Sequence, residues 1–117
     1  MGDMSPANRF VRLCTLLDFC DKPETAREAV TLGEHLVNIF DIGKGWNQTY
    51  DVRDTSQLLV NISMWSVFKD MTNMIVYYKT YEDMTLRKID IKKIDFDSPV
   101  RLMMPIRNYK YGVRHIN

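Results

Sequence analysis

Two thiols and two imidazoles are the side chains best suited to covalent or metal chemistry in this 117-residue chain: Cys14, Cys20, His35 and His115. Zinc sites need such ligands clustered at short spacing. Neither histidine stands near a cysteine in sequence, so no metal site is expected and both histidines read as isolated. On one helix the two thiols would be separated by about 9 Å of rise, more than the roughly 7 Å a disulfide tolerates. A bridge is expected only if the helix ends between them. Cys14, set among Leu13, Leu16 and Leu17, reads as a buried structural thiol. Asp70 and Asn73 read as turn residues that bond their own backbone, not as an acid–base pair. Asp90 and Asp95 read as solvated or capping carboxylates.

These residues must be positioned by a small scaffold. The length suits one domain and is too short for two. With 45% apolar and 26% charged residues, the composition is that of a globular chain. Eight methionines read as adaptable core filling. A formal net charge of +1 gives no reason to expect a nucleic-acid or anionic-membrane partner. The late basic group Arg101, Arg107, Lys110 and Arg114 is diluted by apolar residues and reads as solvated, and 107–117 reads as a tail. No apolar run approaches the roughly 18 residues of a membrane span, and no signal peptide is visible. No cofactor is expected.

Ser5-Pro6 is a helix start, with serine as cap and proline in the first helical position. Phe10, Leu13, Cys14 and Leu17 then share one apolar face, which Val11, Leu16 and Phe19 widen. Asp21-Lys22-Pro23-Glu24 predicts a second start, with Asp21 as cap and Glu24 closing a capping box. Gly43 and Gly45 are expected to stop that helix and open a polar loop reaching about Ser56. From Leu58 the period falls to two. One strand is expected from there to Lys69, covered on both faces. Asp70–Asn73 turns into a β-branched and aromatic strand over 75–81. Glu82–Thr85 turns again into a third strand over 86–91, and a short strand is expected over 100–106. Trp65 reads as core. Tyr77, Tyr78 and Tyr81 should alternate between core and sheet surface. Two helices followed by an antiparallel β meander define an α+β chain.

Two stretches carry a family resemblance. The first is Gly2 to Arg12, GDMSPANRFVR. The second runs from Trp65, W-x-V-x-x-D-x-x-N-x-x-x-Y-Y-K-T-Y-E, and continues into L-R-K-I-D-I. Both, in this order, resemble the choloylglycine hydrolase family of bile salt hydrolases and penicillin V acylases, over about residues 2–106. The resemblance implies part of the four-layer αββα sandwich of N-terminal-nucleophile hydrolases. It also implies cleavage of linear amides by an N-terminal cysteine whose own amino group is the general base. That cysteine and the family's other upstream site residues have no counterpart in this sequence, so the likeness is to the C-terminal portion only.

The resemblance places an active-site arginine at Arg9, where a guanidinium could hold a thiolate or developing oxyanion. Arg12 is a weaker candidate. Pairing of Arg9 with Asp3 or Asp18 is the structural alternative. The expectation is therefore a single partial domain, inactive alone. The alternatives are a non-catalytic subunit or binding module that completes its fold with a separate chain or by self-association, and a disrupted reading frame. The substrate would be a bile-salt, penicillin V or N-acyl amide. Trp65 and the L-R-K-I-D-I segment lean toward the penicillin-acylase branch, whose members are often periplasmic.

Overall fold

The computed structural model describes residues 5–101 and 103–106. Contacts gather into two compact units, one up to Ser63 and one from Met64 onward.

In the first unit, α1 spans Pro6–Phe19 and begins as the sequence predicts. The Ser5 hydroxyl accepts from the Asn8 N–H at 3.4 Å, and Pro6 fills a position whose missing N–H costs nothing. The buried side differs from expectation. Asn8, Arg9, Arg12, Leu13 and Leu16 are half-buried, while Phe10, Cys14 and Leu17 face outward. Phe10 is 68% exposed, and Cys14 is an exposed free thiol, not a buried one. Periodicity locates an apolar stripe; it does not say whether anything covers it.

Helix α2 spans Ala26–Asn38 and is capped by Thr25, not Asp21. Thr25 Oγ1 accepts from the Glu28 N–H at 3.2 Å, and the Glu28 carboxylate accepts from the N–H groups of Thr25 and Glu24. Pro23 explains the shift. A cap at Asp21 would require Lys22 to be helical, which a following proline disfavours. The helix also stops at Asn38, ahead of the two glycines.

Those glycines shape the next turn. Gly45 has φ +88°, and the Trp46 N–H donates to the Gly43 carbonyl at 3.1 Å. The Trp46 indole lies so close to Gly43 that a Cβ there would stand 2.7 Å from the ring. Strand β1, Asn47–Tyr50, then pairs antiparallel with β2, Leu58–Asn61, with Asn47 opposite Asn61 and Tyr50 opposite Leu58. The sequence reading treats β1 as loop because Asn-Gln-Thr-Tyr shows no apolar alternation. The long strand expected from Leu58 to Lys69 is broken at 62–64. Ser63 leaves the strand ladder there: its N–H donates to the Ile42 carbonyl at 3.0 Å, and its hydroxyl accepts from the Ile42 N–H at 2.8 Å. This clamp holds Ile42, the buried apolar side chain of the unit among the described residues.

The second unit is the predicted meander. Strands β3 (Trp65–Asp70), β4 (Ile75–Thr80) and β5 (Arg87–Asp90) form one antiparallel sheet in that order. Phe68 lies opposite Tyr77, and their rings stack at 5.1 Å. The centre of the unit is β4, where Tyr78, Lys79 and Thr80 are buried. Trp65 is 53% exposed and Val67 is also open to solvent, so β3 is covered on one face and Trp65 is not core. A single 3-10 turn follows over Ile91–Lys93, with the Asp90 carboxylate accepting from the Lys92 N–H. The described part of 100–106 forms no strand. The tail over 107–117, with His115, lies outside the described residues.

Candidate functional site

Arg9 is half-buried in the first turns of α1, where Ser5 capping and Pro6 fix the backbone that carries it. It lines a cleft of about 580 Å³ within the first unit. Ser5 and Pro6 flank Arg9, Asn47 and Thr49 come from β1, Asn61 comes from β2, and Ile42 and Ile62 supply apolar surface. The two-residue period of a strand puts Asn47 and Thr49 on the same face of the hairpin, and the register sets Asn61 directly opposite Asn47. The Ser63 clamp holds Ile42 at the same place.

No ion pair joins Arg9 to Asp18 among the described residues; Asp3 lies outside them. Among the described residues Arg9 is the one charged side chain lining the cleft. A guanidinium there can hold an anion or developing oxyanion with its planar set of N–H donors. Arg12 is half-buried one turn further on and does not line this cleft. Asn47, Thr49 and Asn61 escape sequence reasoning, because polar residues in a polar stretch carry no spacing that marks them. His35 is exposed on α2. No group of three or more metal-binding side chains occurs among the described residues.

The carboxylates are structural. Asp70 accepts from the Asn73 N–H at 2.9 Å and from its side-chain amide at 2.7 Å, closing the β3–β4 turn in which Met74 adopts φ 59°. The Asn73 side chain, then its N–H, hold the Asp70 carboxyl below its ordinary 3.8. Asp83 is lowered chiefly by the Thr85 N–H and also pairs with Arg87. Asp54 is lowered chiefly by the Ser56 hydroxyl. A carboxyl whose folded pKa is depressed stabilises the fold above its unfolded pKa and loses that effect as pH falls through the folded value. The turn contributions should therefore be complete near neutrality and fade below about pH 4. Replacing Asn73 by alanine should move the Asp70 midpoint up toward 3.8, as read by the pH dependence of its carboxyl NMR signal. An unchanged midpoint would show that the amide does not hold the carboxylate.

The architecture has known counterparts. Two variant forms of the conjugated bile acid hydrolase of Clostridium perfringens superpose with TM-scores of 0.66 and 0.60, at 22% and 24% identity. Each covers the whole of this chain and about a third of its own: 34% and 33%. The chain thus shares part of the fold of those proteins. In sequence, the chain is 30% identical to the bile salt hydrolase/transferase of Clostridium perfringens, over 99% of this chain and 33% of that protein. It is also 28% identical to the uncharacterized protein A284L of Paramecium bursaria Chlorella virus 1, over 75% and 31%. The chain spans about a third of the length of the curated relatives it matches. The model of the linear amide C–N hydrolases, choloylglycine hydrolase family, matches residues 1–103. The chain belongs to that family.

Proposed function

We infer that this chain is the C-terminal portion of a cysteine amide hydrolase and contributes Arg9 to its reaction centre. The family membership over residues 1–103 carries the reading, and the placement of Arg9 in an open cleft supports it. The substrate is a linear amide such as a conjugated bile acid, the class named in its relatives, or a penicillin V-like or N-acyl amide. The nucleophile belongs to a segment outside these 117 residues. A positioned guanidinium lowers no barrier without one, so the chain alone is inactive.

A second reading makes the chain a separate subunit that completes its fold with another polypeptide. The outward apolar side chains of α1, Phe10 and Leu17, favour it, because exposed apolar patches mark association surfaces.

One experiment tests both. A conjugated bile acid is offered to the chain alone, to the chain mixed with the remaining two-thirds of the Clostridium perfringens hydrolase, and to a covalent hybrid of the two. No turnover by the chain and turnover by the hybrid is the expected result. Turnover by the unlinked mixture selects the subunit reading. Turnover by the chain alone overturns both.

A further inference from the structure

Helix α1 has two unlike sides. One is half-buried and holds Asn8, Arg9, Arg12, Leu13 and Leu16. The other is exposed and holds Ala7, Phe10, Cys14 and Leu17, spaced three, four and three residues apart. That spacing is the seam by which one helix packs against another. The seam is apolar yet uncovered: Phe10 is 68% exposed and Leu17 51%, and Cys14 is an exposed free thiol. Arg9 stands about 140° around the helix from Cys14, so the seam and the Arg9 cleft occupy different sides of α1.

Two features of the seam select a second copy of the same helix, running antiparallel. The first is symmetry. Phe10 lies about 6 Å before Cys14 along the helix axis, and Leu17 about 4.5 Å after it. A two-fold axis at Cys14 therefore sets Phe10 of each copy against Leu17 of the other, and thiol against thiol. The second is charge. Asp18 flanks the seam in the last turn of α1, a turn that holds no basic residue. A carboxylate there meets the negative end of its own helix dipole. An antiparallel neighbour brings the positive end of its helix alongside, whereas a parallel neighbour would bring a second Asp18.

We propose that the exposed face of α1 is a docking surface for a second copy of this chain, in an isologous antiparallel pair centred on Cys14. Packed helices run with axes about 8–10 Å apart, and each Cα lies roughly 2.3 Å off its axis. At the wider spacing the two Cys14 Cα atoms stand about 5 Å apart, within reach of a disulfide. A seam about 21 Å long covers less than the roughly 800 Å² per partner of a standard interface, so the dimer is weak. The proposal goes beyond the amidase reading and does not need it. It commits the α1 face to a second copy instead of to another polypeptide.

The test is sedimentation equilibrium of the full chain under reducing conditions, where a monomer–dimer equilibrium in the micromolar range is expected. Phe10→Asp removes an apolar contact and adds a charge in each copy, so it should raise the dissociation constant at least about tenfold. Asp18→Lys separates docking from a merely structural role. It should raise Tm, because a cation suits the C-terminal end of its own helix. It should also weaken the dimer about fivefold, because that cation then meets the positive end of the second helix. With Cys20 replaced by serine, diamide should link Cys14 of one copy to Cys14 of the other. The two thiols give up two electrons and two protons, and the diamide is reduced to its hydrazine. A chain that stays monomeric at millimolar concentration overturns the proposal. So does a dimer that Phe10→Asp leaves intact, that Asp18→Lys tightens, or that diamide fails to link. Shielding of Cys14 from alkylation in a monomeric hybrid would assign the face to the rest of the hydrolase fold, and overturns it as well. The amidase reading is scored by turnover, so either can fail while the other stands.

Discussion

Replacing Arg9 by leucine in the active hybrid should lower kcat about 10²–10³-fold, the cost of deleting one donor to a developing oxyanion. The argument is positional. Arg9 is carried on a helix whose first turn is pinned by the Ser5 cap and by Pro6, so the guanidinium has a fixed root. It opens into a cleft in which it meets no opposite charge among the described residues. Leucine retains much of the side-chain volume and the helix propensity, so the loss should fall on rate and not on folding. If Arg9 acts on the transition state, kcat and kcat/KM fall together; if it only binds ground-state substrate, KM rises and kcat stays. Arg9→Lys should recover only part of the rate, because a point charge lacks the planar fork. Arg12→Leu is the internal comparison and should change kcat little, since Arg12 does not line the cleft. A kcat within about twofold of the parent for Arg9→Leu would remove Arg9 from the reaction centre.

The largest effect on stability should come from Tyr78→Ala, which should cost the second unit about 3 kcal/mol, as large-to-small changes at buried aromatic positions do. Tyr78 is 8% exposed. It lies on the central strand of the meander, opposite Val67 on β3 and Arg87 on β5. Because both neighbouring strands are tied by ladder bonds, the sheet cannot close over the space the ring leaves. Urea denaturation followed by near-UV circular dichroism gives the measurement. Tyr78→Phe keeps the ring and should cost under about 1 kcal/mol. A loss for Tyr78→Ala no larger than for Tyr78→Phe would mean that ring burial does not hold the sheet. Substitution of the half-exposed Trp65 by alanine should cost clearly less than Tyr78→Ala, since the ring at β3 is open to solvent.

What could be read in the sequence followed from local rules. Ser5-Pro6 fixed the start of α1, because capping and proline geometry need no tertiary help. Asp70 and Asn73 marked their turn: the Asp70 carboxylate accepts from the Asn73 backbone N–H and from the Asn73 side-chain amide. What could not be read depended on contacts made elsewhere. The start of α2 was read at Asp21, and the restriction Pro23 places on Lys22 moves it to Thr25. Strand β1 exists because β2 pairs with it, and nothing in Asn-Gln-Thr-Tyr announces that. The break at Ser63 depends on a partner 21 residues away. The outward turn of Phe10 and Cys14 depends on what covers α1, which periodicity does not encode. Arg9 was singled out only through the Arg-Phe-Val-Arg segment. Asn47 and Asn61 were not legible, because their pairing exists only in the register of the hairpin.

The packing of Trp46 against Gly43 has an optical consequence. The chain has two tryptophans, and each unit holds one: Trp46 in the first and Trp65 in the second. Trp46 immediately precedes Asn47, so a rearrangement of the cleft wall is transmitted to an indole seated on bare backbone, while Trp65 reports on the meander. Their emission can be separated by replacing either with phenylalanine. The protein thus contains its own pair of chromophores, one in each unit, and needs no added dye.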